Sequence, residues 1–315
     1  MSPRWVDNMR IVVALGGNAL LRRGEPLTIA NQNKNVKKAA RALSSLIDAG
    51  HSIVITHGNG PQVGLLALQA RANSPDDHFP IDILDAESAG MIGYMLLQEL
   101  SNLLKDSLLA TLLTRILVDR NDPAFRRPTK PIGPFYEEKA AKDLALRNGW
   151  NFAPDKDGWR RVVASPEPKA ILDTEVLSLL IENGVIVICA GGGGIPVVEF
   201  GSGQYEGVEA VVDKDRVSAL LALTLNADFL LLLTDVKGVF RNWGTAEARL
   251  IERVATDAIE HTDYAEGSMG PKVAAAVEFV KTSGKSAAIG MLEDASDIIS
   301  GRAGTLVHPA NGAWS

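Results

Sequence analysis

Cysteine is almost absent from this chain of 315 residues: there is one, Cys189. A lone thiol excludes an intrachain disulfide and any cysteine-based zinc site. It lies in the apolar run Val185-Ile186-Val187-Ile188-Cys189-Ala190, so it reads as a buried thiol and not a reactive one. Histidine is also scarce, and the five present (His51, His57, His78, His261 and His308) show no metal-helix spacing. Positive charge is not in excess. Lys and Arg number 32 against 38 Asp and Glu, a net charge of −6. That balance removes the basic face a general nucleic-acid binder needs, so no nucleic acid is expected as partner. Long hydrophobic runs are missing too. After the first strand the longest uncharged stretch, Gly184 to Val198, falls short of the ~20 residues of a membrane span and is full of glycine, so no membrane is expected. At the start, Arg4 and Arg10 precede Ile11-Val12-Val13-Ala14-Leu15, but Gly16-Gly17-Asn18 breaks that run. Arg22-Arg23 follow, with no small-residue cleavage site, so the chain reads as cytoplasmic.

What is present is an ordinary globular composition, 46% hydrophobic and 22% charged. The length sits near the upper limit of one hydrophobic core, which suggests one large domain or two fused lobes. Short apolar strands alternate with amphipathic helices. Strands are expected at Arg10–Leu15, Ser52–Thr56, Leu108–Leu117, Val185–Ala190, Phe229–Thr234, Ser286–Met291 and Gly304–His308. Helices are expected at about Pro61–Ala72, Asp85–Leu104, Asp173–Asn183, Asp213–Asn226, Gly270–Ser283 and Ala295–Ser300. One more is marked by the face Val36, Ala39, Ala40, Leu43, Leu46 and Ile47 and is stopped by Gly50. Strands that are apolar without alternation are buried on both faces, which implies an α/β fold with a mainly parallel sheet between helices. Pro123 to Pro168 departs from this rhythm, with seven of the fifteen prolines and both Trp150 and Trp159. Proline at that density argues against long regular elements. The segment is either an irregular surface insertion or a small subdomain leaning over a site.

Glycine, at 29 residues, is slightly enriched, and ten of the 29 fall in four loops. Gly16-Gly17-Asn18-Ala19 follows the first strand. His57-Gly58-Asn59-Gly60-Pro61 follows the second and opens a helix. Gly191-Gly192-Gly193-Gly194 follows Val185–Ala190, and Gly267-Ser268-Met269-Gly270-Pro271-Lys272 opens a helix. Ligands of open parallel sheets bind at the carboxyl ends of strands, and glycine lets backbone amides close on an anion there. The four loops together point to an anion or phosphate site. The usual fingerprints fail, however. A dinucleotide loop begun at Gly191 or Gly192 ends at Pro196 or Val197, and the nucleoside-triphosphate loop that would end in Gly284-Lys285-Ser286 has Phe279 where glycine is required.

Lysines near the loops supply full charges. Lys214 sits between Asp213 and Asp215 at a helix start, Lys272 follows the fourth loop, and Lys130 is held among prolines in the insertion. The two aspartates would either position ammonium groups or hold a magnesium ion.

Taken together, these residues resemble the carbamate kinases of the amino acid kinase family. The resemblance rests on Val13 to Ala19, His57 to Gly64, Pro128-Thr129-Lys130-Pro131-Ile132-Gly133-Pro134, Gly191 to Pro196, Glu209 to Asp215 and Gly267 to Lys272, and it spans about Arg10 to Val307. It implies a three-layer αβα sandwich with a small protruding subdomain, and a homodimer. An N-terminal lobe (1–200) would bind carbamate or carbamoyl phosphate and carry a lid at about 119–168. A C-terminal lobe (201–315) would bind ATP or ADP, with Mg2+ reaching the site on the nucleotide phosphates and not by direct protein ligation. By the same resemblance Lys214, Lys272 and Lys130 would act on the transferring phosphoryl group, with Asp215 orienting the lysines. Gly16, Gly17, Asn18, Gly58, Asn59, Gly60, Gly191, Gly192, Gly193 and Gly194 would line the acceptor site. Lys214, Thr234, Asp235, Gly267, Ser268, Met269, Pro271 and Lys272 would border the nucleotide. His57 is not required as a base, since carbamate is already an anion; a hydrogen bond within its own loop is expected. The segment Asp82 to Gly90 departs from members serving arginine breakdown and looks closer to members of purine or allantoin breakdown. Two other readings are another acyl-phosphate-forming kinase of the family, for which Arg22, Arg23 and Arg115 are candidate carboxylate binders, and a non-catalytic carbamoyl phosphate or nucleotide sensor. Retention of all three lysines argues against the sensor.

Overall fold

The computed structural model describes residues 8–21, 24–73, 79–155, 158–264 and 269–310. Arg4, Arg22, Arg23, His78, Gly267, Ser268 and the side chain of Asn18 lie outside the described residues. Arg10–Leu15 is a strand because its β-branched and aliphatic residues can be buried on both faces at once. Alternate side chains serve different layers. Ile11, Val13 and Leu15 share one buried cluster with Val36 and Leu43 of the helix Ile29–Asp48 and with Ile92 and Leu96 of the helix Ile81–Leu103. Val12 and Ala14 join Val217 and Leu221 of the helix Lys214–Thr224 and Phe279 of the helix Met269–Ser283. The result is a three-layer αβα sandwich.

Eight strands form the middle layer. Their order is Arg253–Ala255, Thr305–His308, Ser286–Met291, Phe229–Thr234, Arg10–Leu15, Ser52–His57, Ile186–Ile188 and Leu109–Thr111. Six run parallel, and the pair at the first edge is reversed, since Ser286–Met291 meets Thr305–His308 antiparallel. Strands from the two halves of the chain meet at one seam, where Arg10–Leu15 pairs with Phe229–Thr234.

Two expectations from the sequence need correction. The apolar run Leu108–Leu117 is not one strand. Leu109–Thr111 ends the main sheet, whereas Arg115–Val118 belongs to a four-stranded sheet with Gln204–Gly207, Ile195–Gly201 and Pro168–Ile171. Thr114 makes the corner: its hydroxyl donates to the Leu112 carbonyl (3.1 Å) and accepts from the Ala190 amide (3.0 Å). No glycine or proline marks the bend, so the run reads as continuous.

The insertion is also more regular than its prolines suggest. It contains a helix, Glu138–Asn148, and a three-stranded sheet of Lys130–Tyr136, Gly158–Val163 and Asn151–Asp155. Pro131, Pro134 and Pro154 all fall on the two outer strands, where a missing N–H need not break a ladder, and the central strand has no proline. The insertion docks where Gly64, in the helix Gly60–Asn73, lies against Gly133. A Cβ on Gly64 would stand 1.9 Å from the Gly133 Cα, so this joint requires glycine.

Candidate active site

The carboxyl ends of the parallel strands bring three of the four glycine loops together. The Gly16 amide donates to the Leu233 carbonyl (2.9 Å), and the Gly58 amide donates to that of Leu15 (3.1 Å). Gly58 abuts Gly17, and Gly191 lies against the His57 ring. At Gly193 φ is +102°, and a Cβ there would meet the Val212 carbonyl at 2.3 Å, so only glycine lets this loop lie on the segment leading to Lys214. Gly60 opens its helix, and Gly192 and Gly194 complete the buried third loop. Thr234 ends the central strand, and its hydroxyl donates to Asp235 (3.2 Å). Met269, Gly270 and Pro271 form the first turn of the helix that carries Lys272.

Lys214 and Lys272 both stand in the first turn of a helix. Helix dipoles disfavour cations there, so helix stability does not explain these lysines. Asp215 lies between them. Lys214 Nζ donates to Asp215 Oδ1 at 2.5 Å, and Lys272 Nζ donates to Asp215 Oδ2 at 3.0 Å. Asp213 is the N-cap of the first helix, accepting from the amides of Asp215 and Arg216 on Oδ1. Its Oδ2 accepts from Lys130 Nζ at 2.5 Å, which ties the insertion to the edge of the cleft. Three lysines therefore share two carboxylates at hydrogen-bond distance. Asp213 and Asp215 hold lysines, the first of the two roles the sequence left open for them.

Electrostatics follow from burial. Burial penalises the Asp215 carboxylate, but the two ammonium groups outweigh it and hold its pKa well below the usual carboxylate range. Burial opposes charge on Lys272 as well, and Asp215, Asp213 and Asp235 overcome it, so that lysine is raised. Lys214 goes the other way, pushed from 10.5 to about 8 by burial, with repulsion from Lys272 adding to the shift against the pull of Asp215. His57 is lowered to about 4, chiefly by burial, and is neutral near pH 7; its Nδ1 contacts the Gly58 carbonyl at 3.3 Å, within its own loop. Cys189 is buried and raised to about 12, which leaves it inert.

The sequence offers Asp213 as a group that could position an ammonium, but not which one; its partner Lys130 lies 83 residues away. Asp85 and Ser88, which hold Asn59, were missed. The available signal was a polar pair at i, i+3 within an otherwise apolar helix face. Arg115 lies away from this cluster and pairs with Asp173 (2.8 Å).

Fixed ammonium groups and glycine loops at the carboxyl ends of parallel strands suit the spread negative charge of phosphoryl transfer, and the protein is an ATP-dependent phosphotransferase by class. The chain belongs to the amino acid kinase family, whose model matches residues 9–290. It is 52% identical to the carbamate kinase of Haemophilus influenzae over 300 residues, 95% of this chain and 96% of that protein. Among solved structures, carbamate kinase from Giardia lamblia bound to citric acid superposes with a TM-score of 0.89 at 40% identity, over 96% of this chain and 99% of that one. The same Giardia enzyme bound to AMP-PNP gives a TM-score of 0.87 at 40% identity, with the same coverage.

Proposed function

We propose that this chain is a carbamate kinase, catalysing reversible phosphoryl transfer between ATP and carbamate. The observation that carries the reading is the pair Lys214 and Lys272 astride Asp215, at the rim where three glycine loops meet. In the catabolic direction a carbamoyl phosphate anhydride would phosphorylate ADP, releasing carbamate. The acceptor oxygen is already anionic and needs no base. The task is to bring two anions into line and stabilise the charge that spreads between them. Lys214 and Lys272 would neutralise that charge, and Asp215 would set the spacing of their ammonium groups. Gly16, Gly17, Gly58, Gly60 and Gly191–Gly194, with Asn18 and Asn59, would line the pocket for the carbamoyl group in the N-terminal lobe (1–200); the amides of Gly16, Gly58, Gly193 and Gly194 are spent on carbonyls of the protein and shape the loops. Thr234, Asp235, Met269 and Pro271 would border the nucleotide in the C-terminal lobe (201–315), together with Gly267 and Ser268.

Mg2+ fits as a passenger of the nucleotide. Both Asp215 oxygens and both Asp213 oxygens are engaged by lysines and helix amides, and no cluster of three or more metal-ligating side chains occurs among the described residues. The ion would supply charge neutralisation at the phosphates. A cytoplasmic homodimer is part of the same reading. Ile83 and Tyr94, three helical turns apart on one exposed face of Ile81–Leu103, are apolar surface such an interface would cover.

The direct test is a coupled assay for ATP from ADP and carbamoyl phosphate, with acetyl phosphate and glutamyl phosphate as controls. ATP from carbamoyl phosphate well above both controls is expected; none above background would reject the proposal. Lys130→Ala is expected to lower kcat about ten- to a hundredfold, since it removes one fixed charge from the cleft, while nucleotide affinity stays near normal. Weakened ADP binding by calorimetry would contradict the placing of the lid over the acceptor side. Activity should also depend on pH through Lys214. Its pKa is lowered, so its charged form is lost as pH rises through about 8, and kcat/KM should fall above that point. The limb in kcat should lie at higher pH, because bound phosphates favour the charged lysine.

A further inference from the structure

The segment Asp82 to Gly90 places a carboxyl group beneath the acceptor side of the cleft. Asp85 is wholly buried in the helix Ile81–Leu103. Its Oδ1 accepts from Asn59 Nδ2 at 2.8 Å, and Oδ2 has no hydrogen-bond partner among the described residues. One turn on, Ser88 Oγ donates to the Asp85 carbonyl (3.0 Å) and therefore accepts the second contact of Asn59 Nδ2 at 2.8 Å. Both amide hydrogens of Asn59 are thus committed to this helix, and the orientation of the amide is set. A flipped amide would put its carbonyl oxygen against the Asp85 and Ser88 oxygens, with no donor free to meet it. What Asn59 keeps is its carbonyl oxygen, an acceptor only; the amide as a whole packs under Gly192 of the third loop.

We propose that Asp85 and Ser88 are positioning residues that hold Asn59 as a hydrogen-bond acceptor, so that this corner of the acceptor site selects a ligand bearing an N–H. The inference rests on the acceptor-site reading above and deepens it. A carbamoyl group carries the amino hydrogens that such an acceptor needs, and an acetyl group of nearly the same shape does not. A buried acceptor left unpaired penalises the wrong ligand more than a lost contact alone would. Asp85 is suited to the task by its place: its Oδ1 lies 2.8 Å from Asn59 Nδ2 at the foot of the loop. Burial, with Asp82 nearby, raises its pKa, and the Asn59 hydrogen bond works against that shift.

The test uses the full chain and the variants D85A, D85N and S88A, with ATP formation measured from carbamoyl phosphate and from acetyl phosphate. D85A and S88A are expected to raise KM for carbamoyl phosphate about tenfold, the equivalent of one hydrogen bond, and to narrow its advantage over acetyl phosphate by a similar factor. KM for ADP should stay within about twofold, and D85N, which keeps an oxygen acceptor facing Asn59, should stay within about twofold of the unchanged chain throughout. A general loss of packing would not change the ratio between the two phosphate donors. An unchanged ratio, a parallel rise in both KM values, or a D85N as impaired as D85A would overturn the proposal. The exchange rate of the Asn59 side-chain amide protons, read by NMR, is a second measure that needs no turnover: slow in the unchanged chain, fast in D85A and S88A. Equal exchange in all of them would overturn the proposal even if D85A folds poorly. An unchanged chain that makes no ATP from carbamoyl phosphate would reject the proposed function instead, and the selectivity with it.

Discussion

Lys272→Met lowers kcat by about two to three orders of magnitude, the loss expected when one preorganised charge on a transferring phosphoryl group is removed. Methionine keeps the aliphatic stem packed and deletes only the ammonium, so the fold is retained. Asp215 stays paired with Lys214 in this variant. The loss should appear in kcat and in kcat/KM alike, because the interaction strengthens as charge spreads in the transition state. A second readout comes with it. Repulsion from Lys272 helps hold Lys214 down near 8, so in Lys272→Met the alkaline limb of the pH profile should move upward. Wild-type turnover, or an unmoved limb, would remove Lys272 from the chemistry. Lys214→Met should match it in kcat and abolish the limb.

Asp215→Ala is expected to cost about 3–5 kcal/mol of folding stability, the penalty for leaving buried charges without their counter-ion. Lys214 and Lys272 would then face each other with nothing between them, each with a side chain only 10% exposed. Deprotonation of one lysine relieves part of that cost and leaves it unable to bind phosphate. Stability and turnover should therefore fall together in this variant, whereas in Lys272→Met turnover falls with little change in stability. Urea denaturation beside the ATP assay separates the two cases. An unchanged midpoint for Asp215→Ala would show that the lysines do not depend on this carboxylate.

These predictions involve residues that are far apart in the chain, and that bears on what could be read before folding. The sandwich was legible because it is a matter of period. Val12 and Ala14 alternate with Ile11, Val13 and Leu15, and a strand apolar on both faces admits helices on both sides. Most helix ends were legible to within a few residues for the same local reason: Gly50, at φ +91°, closes the turn after Asp48, and Asp213 caps Lys214. The corner at Thr114 was not, because the bend is held by hydrogen bonds to residues near 190 and 195 rather than by a local breaker. The insertion's prolines were visible, but the placing of Pro131, Pro134 and Pro154 on the outer strands of its sheet depends on which strand pairs with which.

The candidate site divides along the same line. Sequence by itself determined the chemical inventory: which loops have glycine, which helix starts carry lysine against the dipole, and that a single cysteine permits no intrachain disulfide. Tertiary structure alone decided the pairings. Lys130 meets Asp213 across 83 positions, Lys272 meets Asp215 across 57, and Asn59 meets Asp85 across 26. The physical reason is reach. Backbone preference and hydrophobic period act within a few residues and leave their mark in local order, whereas a hydrogen bond or ion pair depends on positions that only the folded sheet brings within 3 Å.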